Sequence, residues 1–244
     1  MFPVNDLTVL IVTYKTNHKI LEDCIKSIDG KSKIIIVENS NDNEFKKKYE
    51  SKFSNIKVIL SGENLGYGCG NNFGLNQINT NYVLISNPDV VFEDEFFSSA
   101  DYYIKKNIDF EIIGPMYRQK DSASYGHFED LKKKEYNLNS LIESSLVKAH
   151  WIVGCTMFIN LKKFTNRNLF DENFFLYFEE FDLCRQVLSK GGKIYASKKL
   201  YIKHLGHKGS AATDPNYSIE TEMFRNWHWM WSSFYYYKKN YSFF

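Results

Sequence analysis

Short apolar runs rich in β-branched residues alternate with segments of helical periodicity through the first 90 residues. Each run is five or six residues long and is followed by polar residues. Such runs are typical of strands buried on both faces, and strands of this kind joined by helices form parallel sheets. We therefore predict an α/β fold with a mostly parallel central sheet flanked by helices, and strands over 7–12, 33–37, 56–60 and 82–86.

The segments between these strands predict helices over 17–28, 44–53 and 69–77. The second half of the chain is less regular, and residues 118–148 show no clear period, which indicates a long loop or a small inserted helix. We expect one domain over 1–216, followed by an aromatic helical extension over 217–244. The further elements that we predict are helices over 96–106 and 178–189 and strands over 112–117 and 151–159.

Composition excludes several classes of protein. With 31 basic and 29 acidic residues among 244, the chain is too balanced in charge for a general nucleic-acid binder. Its four cysteines form no C-x-x-C pair, which favours free buried thiols in a reducing compartment over a zinc or redox site. Neither a signal peptide nor an apolar run of about 20 residues is recognisable, so we expect a cytoplasmic protein.

Polar residues follow each predicted strand of the first half, at the edge where open parallel sheets bind their ligands. They include Thr13-Tyr14, Glu38-Asn39 and Asn87-Pro88-Asp89. Pro88 restricts the backbone, so Asp89 would project from a rigid strand end and suit a divalent cation with diphosphate oxygens. The alternative for these three residues is an ordinary surface turn. Together the strand ends predict a site for a polar, phosphorylated ligand.

A glycine-rich stretch follows the third predicted strand. Its glycines would allow phosphate to approach the backbone, or they serve only a turn that needs glycine. Gly74 lies one position too late after Gly68-Cys69-Gly70 for the dinucleotide fingerprint, and the stretch does not follow a first strand. Both facts argue against a nicotinamide dehydrogenase.

Four segments in this order, LTVLIVTY, IIIVENS, ENLGYGCGNNFGL and YVLISNPDV, resemble the family 2 glycosyltransferases of GT-A fold. The likeness is greatest to bacterial rhamnosyltransferase-like enzymes of cell-surface polysaccharide synthesis. The segments GCTMF and FDENFFLYFEEFDLCR, which begin at Gly154 and Phe170, extend the resemblance to roughly residues 7–235.

The resemblance implies metal-dependent, inverting sugar transfer from a nucleoside diphosphate donor, with dTDP-L-rhamnose as the donor to test first. It also implies a Mn²⁺ or Mg²⁺ cofactor, a glycan or lipid-linked acceptor, a nucleotide-binding half over 1–95 and an acceptor half over 96–216. Glu180 corresponds to the catalytic base, Glu179 is the second candidate for that role, and Asp182 would orient or pack.

Further roles follow from the same resemblance. Asp89 and His204 correspond to metal ligands. Acceptor contacts are expected from Trp151, Gly154 and Cys155. Donor or nucleotide contacts are expected from Thr13, Tyr14, Glu38, Asn39, Asn64, Leu65, Gly66, Tyr67, Asn71, Asn72, Asn87 and His207.

Three residues depart from the family pattern. Glu38 and Glu180 stand where an aspartate is usual, and Asn87 replaces the first acid of the metal-binding D-x-D, as in rhamnosyltransferase-like members. The alternative interpretation of the acids Glu179, Glu180 and Asp182 is a solvent-exposed helix start, which the helix dipole would stabilise. A non-catalytic relative that binds a sugar or a partner is therefore the alternative function.

The C-terminal extension carries aromatic residues on nearly every helical face, among them Trp227, Trp229 and Trp231. Three interpretations remain open. The helix docks on its own domain, forms a homodimer contact, or lies at the inner face of the cell membrane, where Lys238 and Lys239 would favour anionic lipid.

Overall fold

Ten strands form one sheet in the computed structural model, which describes residues 6–119, 122–124, 145–206, 209 and 219–241. The strands are β1 (Leu7–Thr13), β2 (Lys33–Glu38), β3 (Ile56–Leu60), β4 (Tyr82–Ser86), β5 (Val90–Phe92), β6 (Ile112–Gln119), β7 (Ser122–Ser124), β8 (Leu146–Lys148), β9 (Thr156–Asn160) and β10 (Ile194–His204). The described helices are α1 (His18–Ser27), α2 (Asn43–Lys52), α3 (Gly66–Leu75), α4 (Phe96–Lys105), α5 (Glu179–Ser189) and α6 (Ile219–Tyr241), with a 3-10 turn at Leu161–Lys163.

The first half of the sheet is parallel, as predicted. Strands β3, β2, β1 and β4 lie side by side in that order, and every residue of β1 and β4 is buried. Residues Thr13 and Glu38 are register partners, so the ends of β1 and β2 lie at the same edge. This edge is the one at which the polar strand-end residues were expected to meet.

The second half of the sheet is mixed. Strand β9 is antiparallel to β4 and β6, β10 runs parallel to β6, and β5 is antiparallel to β10. The sequence analysis predicted neither β5 nor β10. In β10 (IYASKKLYIKH), Ser197, Lys198 and Lys199 interrupt the apolar residues where the pairing with β6 shifts register. Its last residue, His204, pairs with Val90 and therefore lies next to Asp89.

Two predicted boundaries were wrong. The strand expected over 151–159 begins at Thr156, because residues 151–155 leave the sheet and run beneath α5. Of the loop expected over 118–148, the described parts contain the end of β6 as well as β7 and β8. The remainder of that loop lies outside the described residues.

Helix α3 begins at Gly66, three residues before its predicted start, so most of the glycine-rich stretch is helical. A Cβ at Gly74 would lie 2.4 Å from Leu10 Cδ1, and one at Gly70 would lie 2.9 Å from Val12 Cγ1. These two glycines let α3 pack closely on β1.

The four cysteines are free thiols, as predicted. Burial raises the pKa of Cys24, Cys155 and Cys184 to about 12, so these thiols stay protonated and unreactive at neutral pH.

The C-terminal helix α6 docks on the segment that leads into α5. Ser232 Oγ donates to Leu176 O at 2.8 Å, and Tyr236 packs against Phe178 and Phe181. The opposite face of α6 is exposed. The first of the three interpretations of this helix is therefore confirmed for one of its faces. No described helix combines the length and the apolar character that a membrane span requires.

Candidate active site

The ends of β1 and β2 are linked by hydrogen bonds. The Thr13 hydroxyl donates to Glu38 Oε2 at 2.6 Å, and the Ser40 hydroxyl donates to Glu38 Oε1 at 2.9 Å. Burial nevertheless raises the pKa of Glu38 above its usual value. Tyr14 is half-buried beside them, with Lys15 Nζ 5.3 Å from its ring centre. Both carboxylate oxygens of Glu38 are therefore engaged within the strand end itself.

Asparagine side chains connect this edge to the start of α3. Asn39 Nδ2 donates to Gly66 O at 2.8 Å, and Asn64 Oδ1 accepts from Gly66 N at 3.1 Å. Asn71 Nδ2 donates to Tyr67 O at 3.0 Å. The amide oxygens of Asn39 and Asn71 are buried and accept no hydrogen bond from the described residues. They are therefore available as acceptors for a donor group of a ligand.

The first glycines of α3 make room for the segment that precedes α5. Gly66 has φ +77°, and a Cβ there would lie 2.2 Å from Phe175 O, which accepts from Tyr67 N at 2.9 Å. A Cβ at Gly68 would lie 3.2 Å from Phe170 Cβ. These glycines thus serve close packing, whereas a phosphate cradle was the functional interpretation of the stretch.

Three further residues were expected to contact the donor or the nucleotide. Asn72 uses both amide atoms on the backbone of Phe170, at 2.7 and 3.0 Å, and so anchors the segment before α5. Leu65, half-buried, is the residue that precedes α3. His207 lies outside the described residues.

The acidic residues follow a turn with unusual backbone geometry. Tyr177 and Phe178 have φ of +70° and +69°, a left-handed conformation that bulky side chains rarely adopt. Helix α5 begins directly afterwards with Glu179 and Glu180. Such conformations persist where the surrounding structure enforces them, and they cluster at functional sites. Here the contacts of α6 with Phe178 hold the turn in place.

Glu180 is the acid best suited to act as a base. It is half-buried, its Oε2 accepts no hydrogen bond from the described residues, and burial raises its pKa to about 7. Glu179 is buried, and burial together with the neighbouring Glu180 raises its pKa well above the usual range. The pair therefore holds one readily exchanged proton near neutral pH, and Glu180 is the more accessible of the two carboxyls.

Asp182 has a different environment. It is 0% exposed and accepts hydrogen bonds from Gln186 Nε2 at 2.6 Å, Lys239 Nζ at 2.8 Å and Asn240 Nδ2 at 3.3 Å. These contacts fit the orienting or packing role that was expected for it. The sequence had not singled out Asn240 or Gln186, and had assigned Lys239 to lipid, because contacts between distant helices leave no local pattern.

Residues 151–155 connect Glu180 with the end of β4, where the turn that bears the expected metal ligand Asp89 begins. A Cβ at Gly154 would lie 3.3 Å from Glu180 Cδ, and Gly154 O accepts from the Tyr67 hydroxyl at 2.6 Å. The next carbonyl, Cys155 O, accepts from Asn87 N at 2.8 Å. Trp151 stacks near Phe181, with ring centres 4.4 Å apart. The three residues expected at the acceptor site thus lie along one side of Glu180.

Asp89 and His204 are brought together by the pairing of β5 with β10. His204 Nε2 lies 3.4 Å from Asp89 Oδ1, and Asp89 is 2% exposed. Two ligands of one small cation at bond lengths of about 2.1 Å have donor atoms about 3 Å apart, so these residues fit a divalent cation. No cluster of three or more His, Cys, Asp and Glu residues occurs in the described part of the chain. A cation here would take its remaining ligands from diphosphate oxygens or water.

Three curated relatives resemble this chain. A low-salt glycan biosynthesis hexosyltransferase of Haloferax volcanii is 29% identical over 199 residues, 74% of this chain and 61% of that protein. Rhamnosyltransferase WbbL of Escherichia coli is 22% identical, with 85% of each chain covered. An N-acetylglucosaminyl-diphospho-decaprenol L-rhamnosyltransferase of Mycobacterium tuberculosis is 21% identical, over 86% of this chain and 78% of that protein. The chain therefore spans less than two thirds of the haloarchaeal relative.

Solved structures share the fold. GalNAc-T7 with UDP, GalNAc and Mn²⁺ superposes with a TM-score of 0.68 at 13% identity, over 96% of this chain and 50% of that chain. The mannosyltransferase PcManGT of Pyrobaculum calidifontis, in complex with GDP-Man and Mn²⁺, gives 0.61 at 12% identity, over 93% and 62%. These likenesses confirm the predicted GT-A fold.

The similarity to rhamnosyltransferases that the motifs indicated is confirmed by two of the relatives. The family model "Glycosyl transferase family 2" matches residues 8–179, well over half of the sequence. The chain thus belongs to glycosyl transferase family 2.

Proposed function

We propose that this chain transfers a sugar, with inversion, from a nucleoside diphosphate donor to a glycan acceptor in glycan biosynthesis. The observation that carries the proposal is the half-buried carboxyl of Glu180, whose Oε2 has no hydrogen-bond donor among the described residues and whose pKa burial raises to about 7. The backbone of residues 154–155 links it to the turn that bears Asp89. A base and a diphosphate-binding position on one sheet edge are what such a transfer requires.

In the proposed reaction, Glu180 accepts the proton of the acceptor hydroxyl. The oxygen then bonds to the anomeric carbon from the face opposite the nucleotide, and the bond from that carbon to the diphosphate oxygen breaks. Gly154 and Tyr67 fix the backbone against which Glu180 lies. Glu179 keeps a proton because of its burial, so that one negative charge at most faces the acceptor near neutral pH.

Asp89 and His204 would hold a Mn²⁺ or Mg²⁺ ion in this proposal. When bound, the ion stabilises the negative charge of the departing diphosphate. The neutral amide of Asn87 leaves the protein with one carboxylate at this turn, and His204 supplies the second ligand. The relatives that were solved with Mn²⁺ support a divalent cation as cofactor.

Replacing His204 by Ala should weaken Mn²⁺ binding in the presence of nucleoside diphosphate by about tenfold or more, since one of two protein ligands is lost. Calorimetric titration with Mn²⁺ measures this directly, without turnover. His150→Ala serves as the matched control, because His150 is exposed and lies away from Asp89. Equal Mn²⁺ affinity in His204→Ala and wild type would remove His204 from the metal site.

The names of the relatives support one class of donor and one class of acceptor. Two of them are named as rhamnosyltransferases, which supports L-rhamnose from dTDP-rhamnose as the donor. One acts on an acceptor linked through diphosphate to decaprenol, which supports a lipid-linked glycan as the acceptor.

A donor panel tests the function. Purified protein is incubated with each of several nucleoside diphosphate sugars, Mn²⁺ and crude lipid-linked acceptor, and released nucleoside diphosphate is measured with and without EDTA. EDTA-sensitive release from one donor, with sugar recovered in the acceptor, is the expected result. Nucleotide binding without release from any donor would favour the alternative, a non-catalytic sugar-binding relative.

We also propose that α6 contacts a membrane surface through a stripe of exposed residues on the face opposite its docked side. This outer stripe comprises Met223, Trp227, Met230, Phe234 and Tyr237, each 47–65% exposed and spaced three or four positions apart. Trp, Tyr and Phe are typical of helices that lie in the lipid headgroup region. Lys239 is not available to bind anionic lipid, the role that the sequence suggested for it, because its ammonium group hydrogen-bonds to Asp171 and Asp182.

Vesicle co-sedimentation tests the outer stripe. The chain should bind vesicles of phosphatidylglycerol and phosphatidylethanolamine, and the double variant Trp227→Gln/Phe234→Gln should lose most of that binding. Phe73→Gln, which changes an exposed aromatic residue on α3, is the control. A wild-type dimer in light scattering that the double variant dissociates, without vesicle binding, would instead assign the stripe to a second copy of the chain.

A further inference from the structure

A cavity of about 530 Å³ lies between α5, α6 and the segment at Trp151. Its walls are aromatic, and they come from three separate parts of the chain. Trp151 and Phe181 form one side with ring centres 4.4 Å apart, while Tyr236 and Tyr241 of α6 form the other. Apolar rings arranged in this way offer flat faces to a ring-shaped, partly apolar ligand.

One cation lies in the cavity wall without a carboxylate partner among the described residues. This is Arg185, whose guanidinium donates to the Tyr241 hydroxyl at 2.9 Å and to Asn240 O at 3.3 Å. Its central carbon lies 4.4 Å from the Tyr241 ring centre. A guanidinium has five N–H donors, and α6 occupies two of them. The contacts with α6 therefore fix the orientation of a planar cation that suits phosphate.

The cavity lies close to the proposed base. Trp151 precedes Gly154 by three residues, and extended chain of that length spans about 10 Å at most. Gly154 touches Glu180, and Phe181, its neighbour in sequence, lines the cavity. One acceptor molecule could therefore present a hydroxyl to Glu180 while another part of it occupies the cavity.

We infer that this cavity binds the acceptor, with a sugar ring against Trp151 and a phosphate or diphosphate group on Arg185. The inference rests on the proposed function, and it adds where in the fold the phosphate-linked saccharide binds and which residue holds its phosphate. Rings of Trp and Tyr accommodate the apolar face of a sugar, and the guanidinium neutralises the phosphate. In this role α6 contributes one side of the acceptor site, through Tyr236 and Tyr241, besides docking on the segment before α5.

The test compares two soluble acceptors with the same sugar and the same short alkyl chain. One carries a diphosphate between sugar and chain, and the other is a plain alkyl glycoside. Arg185→Gln should raise the KM of the diphosphate acceptor about 10- to 100-fold and leave the KM of the glycoside within about twofold, because one charge-assisted contact is lost. Trp151→Ala should raise the KM of both acceptors.

Two control variants separate the alternatives. Lys190→Gln, an exposed residue at the end of α5, should leave every KM unchanged. Arg185→Lys keeps the charge and should recover part of the loss. An equal rise of both acceptor KM values in Arg185→Gln, or a rise of the donor KM, would overturn the inference and assign Arg185 to the docking of α6.

Direct binding distinguishes failure of the inference from failure of the proposed function. The diphosphate-linked acceptor is titrated into the full chain by calorimetry, without donor or metal. Saturable binding that Arg185→Gln weakens supports the cavity as its site even if no donor is turned over. Absent binding, or binding that Arg185→Gln leaves unchanged, contradicts the inference even if transfer occurs.

Discussion

Glu180→Gln is expected to lower kcat by about 10²- to 10⁴-fold while the affinity for the nucleoside diphosphate donor stays unchanged. The amide has the size of the carboxyl but cannot accept the proton of the acceptor hydroxyl. Glu180 lies against Gly154, on the side of Trp151, so its loss should not disturb the strand ends at Thr13 and Glu38. Single-turnover kinetics and calorimetry with the donor measure the two quantities separately.

The pH profile gives an independent check on the same residue. A base acts in its ionised form, and burial raises the pKa of Glu180 to about 7. The wild-type kcat/KM for the acceptor should therefore fall about tenfold per pH unit below this pKa, and the residual activity of Glu180→Gln should lack this limb. Glu180→Asp, with the acid usual in the family, should keep the limb at reduced kcat.

Glu172→Gln is the matched control, since Glu172 is an exposed acid of the segment that precedes α5. It should retain wild-type kcat and pH dependence. Full activity in Glu180→Gln would remove Glu180 from the role of base and leave Glu179 as the remaining candidate.

The sequence predicted the parallel half of the sheet because its strands are buried on both faces and consist of apolar runs. Strand β10 was missed because Ser197, Lys198 and Lys199 divide it into two short stretches, between which its pairing with β6 shifts register. The family resemblance had named Asp89 and His204 as metal ligands; the two side chains lie 3.4 Å apart, and their role as ligands stays a prediction.

The hydrogen-bond partners of individual side chains could not be predicted from the sequence. Asn39 follows β2 and Asn72 lies within α3, and the sequence assigned both to donor or nucleotide contacts; yet Asn72 anchors Phe170 while Asn39 keeps a buried amide oxygen without a described donor. Whether an asparagine bonds to the protein backbone or keeps an unbonded amide oxygen depends on how closely the segment before α5 approaches α3. The absence of side chains at Gly66 and Gly68 sets that distance. Local sequence carries no information about that distance.

Lys239→Met is expected to destabilise the protein and to slow transfer. Lys239 Nζ bonds to Asp171 Oδ2 at 2.7 Å and to Asp182 Oδ2 at 2.8 Å, which lie on either side of the left-handed turn at Tyr177 and Phe178. Without the ammonium group, the fully buried Asp182 carboxylate loses its cation. We expect a loss of about 2–4 kcal/mol in the free energy of unfolding, below the usual cost of a broken buried pair because Lys239 is 30% exposed.

In Lys239→Met, kcat should fall about tenfold. Lys239 holds the turn from which Glu179 and Glu180 project, although it does not contact these two residues itself. Urea unfolding and the transfer assay measure the two effects. Lys238→Met is the matched control: its side chain is the exposed neighbour in sequence, and a change within about 0.5 kcal/mol is expected.

The pH dependence of stability distinguishes charge from packing. Burial opposes ionisation of Asp171, but the hydrogen bonds from Lys239, Asn173 and Tyr235 outweigh it and lower the pKa from 3.8 to about 2. A folded pKa below the unfolded one gives stability that is present above about pH 4 and is lost as the pH falls towards 2. The difference in stability between wild type and Lys239→Met should therefore narrow over this range.

A double variant completes the argument. If the cost of Lys239→Met comes from stranding a buried charge, then Asp182→Asn in the same chain removes that charge and should recover part of the lost stability. A difference between wild type and Lys239→Met that is constant from pH 5 to pH 2, with no recovery in the double variant, would mean that the lysine acts only through the contact of its side chain with the Phe174 ring. In that case α6 would be held by its aromatic contacts alone, and the position of Glu180 would not depend on the ion pairs.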